Sequence, residues 1–351
     1  METLRIAVVG CGAIAELQHL PALAASRAAR ATALVDRDLS RARSLARRWG
    51  VARVAADVGE VLGEVDAAIV ALPNHLHAPV AGELLRQGVH VLVEKPMAPT
   101  VAECDAMIAA AASSGATLAV GLEFRFFDST DVVRELLAAG LVGRVAGFDL
   151  RQGVIPRWPF ASDFVLRKET AGGGVLLDYG VHVLDLLLCW LGDWRTVECR
   201  DDARGGLESD VELDLTFASG VAGKVEVSRT RNLRNSCRFT GEGGVLEVGV
   251  WDPDPQVTLR IGGRKAELAG RARSGGRAMT FGDAFTRQLD DFVTAVHEGR
   301  PPRVPGSEGR RAIALVEACY ARRRSLDLPW DAPPELTDWS ERGASSAPVE
   351  R

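Results

Sequence analysis

The chain has 351 residues, more than one hydrophobic core usually organises, so two domains are expected. With 47% hydrophobic and 25% charged residues, the composition is that of an ordinary soluble protein. A formal net charge of −5 argues against nucleic-acid and anionic-membrane partners, both of which favour a basic excess, and no segment offers roughly twenty uninterrupted apolar residues for a membrane span.

Met1-Glu2-Thr3 leads straight into a strand at Leu4, which leaves no room for a secretory leader, and the expected compartment is the cytoplasm. Six scattered cysteines (Cys11, Cys104, Cys189, Cys199, Cys237 and Cys319) form no metal or redox spacing and read as reduced, small apolar residues. Compact apolar runs of strand length follow at Leu4–Val9, Ala31–Val35, Ala67–Leu72, Val89–Val93 and Thr117–Gly121. Helical patterns separate them at Ala13–Ala25, Leu39–Trp49, Ala78–Arg86 and Val101–Ala112. Strands apolar throughout, with helices between them, predict a doubly wound parallel α/β sheet over residues 1–122.

The first strand ends in Gly10-Cys11-Gly12-Ala13-Ile14-Ala15, a Gly-x-Gly-x-x-Ala loop that opens a helix. Gly10 allows the tight turn, Gly12 lets backbone approach a pyrophosphate, and the amides through Ala13 and Ile14 begin the helix N-terminus that holds it. Asp36 ends the second strand, where a carboxylate accepts hydrogen bonds from an adenosine ribose and repels a 2′-phosphate. This favours NAD over NADP, although the adjacent Arg37 offers a phosphate a partner. The other reading of Asp36 is an N-cap for the helix near Leu39.

Ligands of open parallel sheets collect at the carboxyl ends of the strands. Two turns emerge there: Pro73-Asn74, expected against the cofactor, and Glu94-Lys95-Pro96. A lysine after a buried strand is costly unless its charge is used, and the alternative is a solvated surface turn.

From residue 123 the texture changes. Arg144–Val154, Asp210–Phe217, Val221–Arg229, Ser236–Gly241 and Val245–Trp251 alternate apolar and polar residues, with Ala218-Ser219-Gly220 as a hairpin turn. Helical patterns lie at Ser129–Ala139, Val175–Leu191, Ala284–His297 and Gly309–Arg324. An α+β domain with a large open, mostly antiparallel sheet is expected over residues 123–330, followed by an extended or disordered tail over 331–351. After Gly172-Gly173-Gly174, the helix Val175–Leu191 is almost wholly apolar, yet carries Asp178, His182 and Asp185. Asp178 and His182 are i,i+4 neighbours, and histidine is the side chain suited to exchanging a proton near neutrality. A satisfied core histidine is the alternative.

At these residues the chain resembles the glucose–fructose oxidoreductase/inositol dehydrogenase/MocA family. The resemblance runs from Gly10 to about Gly249. It rests on Gly10–Ala15, on the turn Pro73-Asn74-His75-Leu76-His77, on Glu94-Lys95-Pro96, and on Gly172–Gly174 followed by Asp178, Gly180, His182 and Asp185. It implies a Rossmann domain followed by an α+β domain whose open sheet forms dimer or tetramer contacts, so a homodimer or homotetramer is expected. It further implies an NAD(P)-dependent dehydrogenase or reductase acting on a sugar-like small molecule: a sugar, nucleotide-sugar, aminosugar or cyclitol. In that scheme Lys95 binds the reacting hydroxyl, and His182 is the base in oxidation and the acid in reduction. Asp178 orients the substrate, Glu94 binds the nicotinamide ribose, and Pro73, Asn74 and His77 add cofactor contacts. No metal is required.

Tyr179 stands beside Asp178, and adjacent helical residues point about a hundred degrees apart, which favours His182 over Tyr179 as the proton-transfer group. Arg125, Arg157, Lys168, Arg229, Arg231 and Arg234 are candidates to line the cleft and bind a phosphorylated or nucleotide-linked sugar, or else are solvated edge charges. Trp158 either stacks on a pyranose face or packs an interdomain loop. The rival readings are an NADPH-dependent keto-sugar reductase and a non-enzymatic sugar or dinucleotide sensor, since fold does not fix function.

Overall fold

The computed structural model describes residues 2–156, 163–254, 256–269 and 277–326. Arg157, Trp158 and the 331–351 tail lie outside the described residues. The first sheet contains β1 (Leu4–Val9), β2 (Ala29–Val35), β3 (Arg53–Ala55), β4 (Ala67–Val70), β5 (His90–Glu94) and β6 (Leu118–Gly121). Their order is β3-β2-β1-β4-β5-β6, and every pairing is parallel. The order reverses between β1 and β4, which opens a crevice at the carboxyl ends of the central strands.

Around this sheet lie α1 (Leu20–Ala25, entered through a π-helical turn at Ala15–His19), α2 (Leu39–Trp49), α3 (His77–Arg86) and α4 (Val101–Ser114). Because side chains alternate along a strand, the two faces build separate cores. Ile6, Val8, Leu34 and Ile69 pack with Leu20, Leu23 and Leu45 on one side. Ala7, Val9, Val70 and Val93 pack with Leu84, Leu85 and Met107 on the other. The strands are apolar throughout because both faces are covered.

The second sheet has nine strands: β7 (Val145–Gly153), β8 (Trp194–Asp201), β9 (Asp210–Phe217), β10 (Ala222–Ser228), β11 (Ser236–Gly241), β12 (Gly244–Gly249), β13 (Gln256–Ile261), β14 (Arg264–Ala269) and β15 (Arg323–Ser325). They run in the order β14-β13-β12-β11-β7-β10-β9-β8-β15. Only β10–β7 and β15–β8 pair in parallel; the rest is antiparallel. The Ala218–Gly220 turn joins β9 to β10 as expected, with Gly220 in the left-handed region at φ 87°. The sequence pattern singles out none of β3, β8, β13, β14 and β15; of these, β13 and β14 lie toward one edge of the second sheet and carry Arg260, Arg264, Lys265 and Glu267. Charge is common on edge strands, where it discourages pairing with other chains, and it blurs the apolar pattern.

The remaining helices are α5 (Asp128–Ala138), α6 (Lys168–Ala171), α7 (Val181–Leu191), α8 (Phe281–Glu298) and α9 (Gly306–Arg322). The segment Leu176–Gly180 just before α7 is π-helical. The stretch Lys168–Leu191 has the length and hydropathy of a membrane-crossing helix, yet most of it is buried within the protein as a core element. Helix α8, grouped from the sequence with the second sheet, packs instead across the first: its Phe285, Leu289, Phe292 and Val293 join the core of β1 and α1. Helix α9 touches α4 and β6 on one side and α7 and β8 on the other, so it ties the two sheets together.

Candidate active site

A cavity of about 1190 Å³ runs from the Gly10–Ile14 loop, past the carboxyl ends of β4 and β5, to His182. At its first end Gly10 has φ 95°, and a Cβ there would fall 2.2 Å from the Ala71 carbonyl oxygen, so the turn requires glycine. A Cβ on Gly12 would meet nothing within 4 Å. It would project into open space, where an approaching pyrophosphate needs bare backbone. Asp36 also lines the cavity, its carboxylate accepting from the amides of Cys11 and Asp38, both at 2.8 Å. It is not the N-cap of α2. Asp38 is, accepting from the amides of Ser40 and Arg41. Arg37 and Arg41 line the same end.

Pro73 and Asn74 line the middle of the cavity, where Asn74 donates its side-chain amide to the Ala171 carbonyl at 2.7 Å and so ties the end of β4 to α6. His77 does not reach the cavity. It is buried, with Nδ1 2.8 Å from the Pro96 carbonyl and Nε2 2.7 Å from that of Leu72. It therefore clamps the two turns together from behind, and the cavity-lining histidine of this motif is His75.

At the far end, Glu94 closes β5 with its carboxylate 2.7 Å from His19 Nε2, a buried contact that aims it along the cavity wall. Lys95 follows. Its ammonium donates to Asp178 Oδ1 at 3.0 Å and to the Asp178 carbonyl at 3.1 Å. Burial opposes the charge, but Asp178, Glu123 and Glu94 outweigh it, and the Lys95 amine is held above its ordinary value. Lys95 is thus a permanent cation held by carboxylates, not a solvated surface lysine.

His182 is buried and stacks on Phe124, ring centroids 4.3 Å apart. Burial, and then the Lys95 charge, pull its imidazole well below the ordinary histidine value. It stands neutral at neutral pH, the form a general base requires.

Tyr179 lines the cavity together with Asp178 and His182. The hundred-degree divergence that favours His182 separates Tyr179 from Asp178, whereas Tyr179 and His182 are themselves i,i+3 neighbours in a turn that begins as π-helix, and both line the cavity. Burial raises the Tyr179 phenol further above its ordinary value.

Of the basic candidates, Arg229 alone among the described ones reaches the cavity, 3.5 Å from Asp178 Oδ2 and over the Tyr179 ring. Arg125 is buried and grips Asp185 through two bonds of 2.6 and 3.0 Å, with Glu308 as a second partner at 2.5 Å. It anchors α7 from behind and is not a substrate ligand. That pairing also explains Asp185, the third ionisable position of that helix. Arg231 pairs with Asp210 and Glu226, Arg234 pairs with Asp149, and Lys168 is exposed away from the cavity.

Sequence reasoning missed several supports. Glu208 accepts from the amides of Gly174 and Leu176 and from the Tyr320 hydroxyl, all on one carboxylate oxygen at 2.7–3.1 Å. This holds the start of the helix that carries Asp178 and His182, and a Cβ on Gly174 would lie 2.1 Å from the Glu208 carbonyl oxygen. Glu123 was also missed, although a signal existed. It sits just past the carboxyl end of β6, the position that singled out Glu94 and Lys95.

Two models of one family match the chain. The oxidoreductase-family, NAD-binding Rossmann-fold model of GFO_IDH_MocA covers residues 4–122, and the GFO/IDH/MocA C-terminal domain covers residues 130–247. A similar curated protein is the trans-1,2-dihydrobenzene-1,2-diol dehydrogenase of Mus musculus, 31% identical over 76% of this chain and 80% of its own. Among solved structures, the 3-ketoreductase KijD10 of Actinomadura kijaniata, in complex with NADP and TDP-benzene, superposes with a TM-score of 0.82 at 26% identity, over 93% of this chain and 100% of that one. The aldose-aldose oxidoreductase of Caulobacter crescentus, complexed with glycerol, gives a TM-score of 0.82 at 26% identity, over 92% and 97% of the two chains.

Proposed function

Because the chain belongs to the Gfo/Idh/MocA oxidoreductase family, we propose that its cavity moves hydride between a nicotinamide dinucleotide and a secondary hydroxyl or keto carbon of a sugar, nucleotide-sugar, aminosugar or cyclitol. The observation that carries this reading is the meeting of Lys95, Asp178 and His182 at the end of a cavity that begins at the Gly10–Ile14 loop. The open space before Gly12 and the carboxylate of Asp36 fit such a cofactor: backbone amides for the pyrophosphate, and an acceptor for the ribose. When bound, the nicotinamide supplies the redox chemistry itself. The protein's part is proton and charge handling. Lys95, fixed as a cation, stabilises the oxyanion that forms as a hydroxyl loses its proton. Neutral His182 takes that proton in oxidation and returns it in reduction. Asp178 holds Lys95 and is placed to orient the substrate hydroxyl, while Glu94 is placed for the nicotinamide ribose.

Purified protein assayed with NAD and NADP across aldoses, glycosides, nucleotide-sugars and cyclitols tests the reading. Turnover of a member of that panel is expected, and none with either cofactor rejects it. A sensor is free to lose the lysine or the histidine; here both are present and held in place.

For the cofactor we infer a preference for NAD. Asp36 already accepts two amides, but an ionised carboxylate has about four lone-pair sites, so ribose hydroxyls can still be accepted. Repulsion of a 2′-phosphate should weaken NADPH by on the order of a hundredfold relative to NADH. The neighbouring Arg37 and Arg41 favour the NADPH-dependent keto-sugar reductase as the second reading. Calorimetry decides between them: Asp36→Ala should narrow the gap, and wild-type protein binding NADPH tighter than NADH overturns the preference.

We infer that the protein works in the cytoplasm, which fits six unpaired cysteines, five of them buried. We also infer a homodimer or homotetramer formed through the open face of the nine-stranded sheet. Light scattering at micromolar concentration should give a multiple of the chain mass, and a monomer mass would reject it.

A further inference from the structure

One buried carboxylate that lines the cavity has none of the roles above. Glu123 lies just beyond β6 and is buried, yet it lines the same cavity as Lys95 and His182. Its Oε2 lies 3.6 Å from His182 Nδ1. Neither of these buried atoms has a hydrogen-bond partner among the described residues. Two buried polar atoms left unsatisfied cost stability, and they need a reason to persist. Here the two face each other across 3.6 Å, a gap that a small movement closes.

We propose that Glu123 is a positioning residue that shares the exchangeable proton with His182 and thereby sets which ring nitrogen faces the substrate. The inference rests on the proposed oxidoreductase reading and deepens it. With Glu123 ionised, His182 carries its proton on Nδ1, pointing at the carboxylate, and Nε2 is bare and ready to act as base. In oxidation the substrate O–H bond breaks and an Nε2–H bond forms, while the Nδ1–H bond breaks and Glu123 Oε2 gains that proton. In reduction both transfers reverse: Nε2 gives its proton to the forming alkoxide and Nδ1 recovers one from Glu123. Each cycle moves two protons along the pair and leaves one more or one fewer on it.

The surroundings suit the task. Facing Glu123 are Glu94 and Lys95 from the end of β5, and His182 and Asp185 from the catalytic helix. Arg125 on its own turn is already engaged by Asp185 and by Glu308 of α9. Burial, then the Glu94 charge, push the Glu123 carboxyl up to about 8 against the pull of Lys95. The imidazole is pulled the other way. The near-neutral ionisation expected of His182 from the sequence therefore belongs to the pair, with the proton resting mainly on the carboxyl.

The test begins on cofactor-free protein and needs no substrate. Ring-¹⁵N signals of His182 and the carboxyl ¹³C signal of Glu123, assigned by its loss in Glu123→Gln, should titrate through one common step in the mildly alkaline range. The step should vanish from His182 in Glu123→Gln, which keeps the shape but takes no proton, and return in Glu123→Asp. For whichever panel substrate the wild type oxidises, Glu123→Gln should lower kcat on the order of a hundredfold, with KM changed only a few-fold and the rise of kcat with pH through the mildly alkaline range gone. Glu123→Asp should recover part of the rate. Separate titrations of His182 and Glu123, or a Glu123→Gln enzyme with the wild-type pH profile, would overturn the proposal. Should Glu123→Gln fail to fold, the wild-type and Glu123→Asp titrations still decide it. Should the wild type oxidise no sugar, the functional reading falls while the common titration step stands or falls by itself.

Discussion

Lys95→Ala is expected to lower turnover by about two to four orders of magnitude, the scale of positioned electrostatic and acid–base groups, while NADH affinity stays close to wild type. The substitution removes the cation that meets the forming oxyanion. It leaves Gly10, Gly12 and Asp36, at the other end of the cavity, untouched. It also releases Asp178, whose Oδ1 loses its 3.0 Å partner, although Arg229 remains 3.5 Å from the other oxygen. Some of the loss should therefore appear in KM through a less ordered Asp178, but most should appear in kcat. Stopped-flow kinetics on the preferred sugar, alongside calorimetric titration with NADH, separates the two. An active Lys95→Ala enzyme would remove the proposed chemistry and leave a dinucleotide-binding protein.

Arg125→Ala is expected to cost about 3–5 kcal/mol of folding stability, the usual consequence of removing one partner from a buried ion pair. Its side chain is only 8% exposed, and that of Asp185 only 1%, so Asp185 would be stranded as an unpaired charge on the buried side of the helix that also carries His182. Glu308 would lose its partner too, but it keeps Arg311 at 2.8 Å. Guanidinium denaturation should show the lower midpoint, and an Arg125→Ala/Asp185→Leu double variant should recover part of the loss, because no uncompensated charge is then left inside. Full stability with a large rise in KM would instead restore Arg125 to the role of substrate ligand that its sequence position suggested.

The contrast between these two cations shows what kind of information each level of description holds. Lys95 was found because it follows an apolar strand of a parallel sheet, and the carboxyl ends of such strands converge by topology on one crevice. The Gly10–Ala15 loop and Asp36 were found the same way: their roles depend on local backbone shape and on a fixed spacing along one β-α-β unit. Arg125 also lies just past a strand, yet it turns back into the core, because Asp185 on a helix sixty residues away offers it a bidentate partner there. Sequence proximity to the crevice cannot tell these two fates apart. The direction of a long side chain is set by whichever distant partner it meets.

The same reasoning separates the rest. Local hydrophobic periodicity and turn chemistry determined most strands of the two sheets, the helix that carries Asp178 and His182, and the glycines that begin it. Only the tertiary structure decided that His77 clamps two turns from behind, that Tyr179 shares the cavity with His182, that α8 crosses back to the first sheet, and that Glu123 meets His182. Periodicity is a property of neighbours along the chain, which the sequence writes down directly. Contacts between β6, α7 and α8 arise from how packed layers close on one another, and no short stretch of residues records that closure.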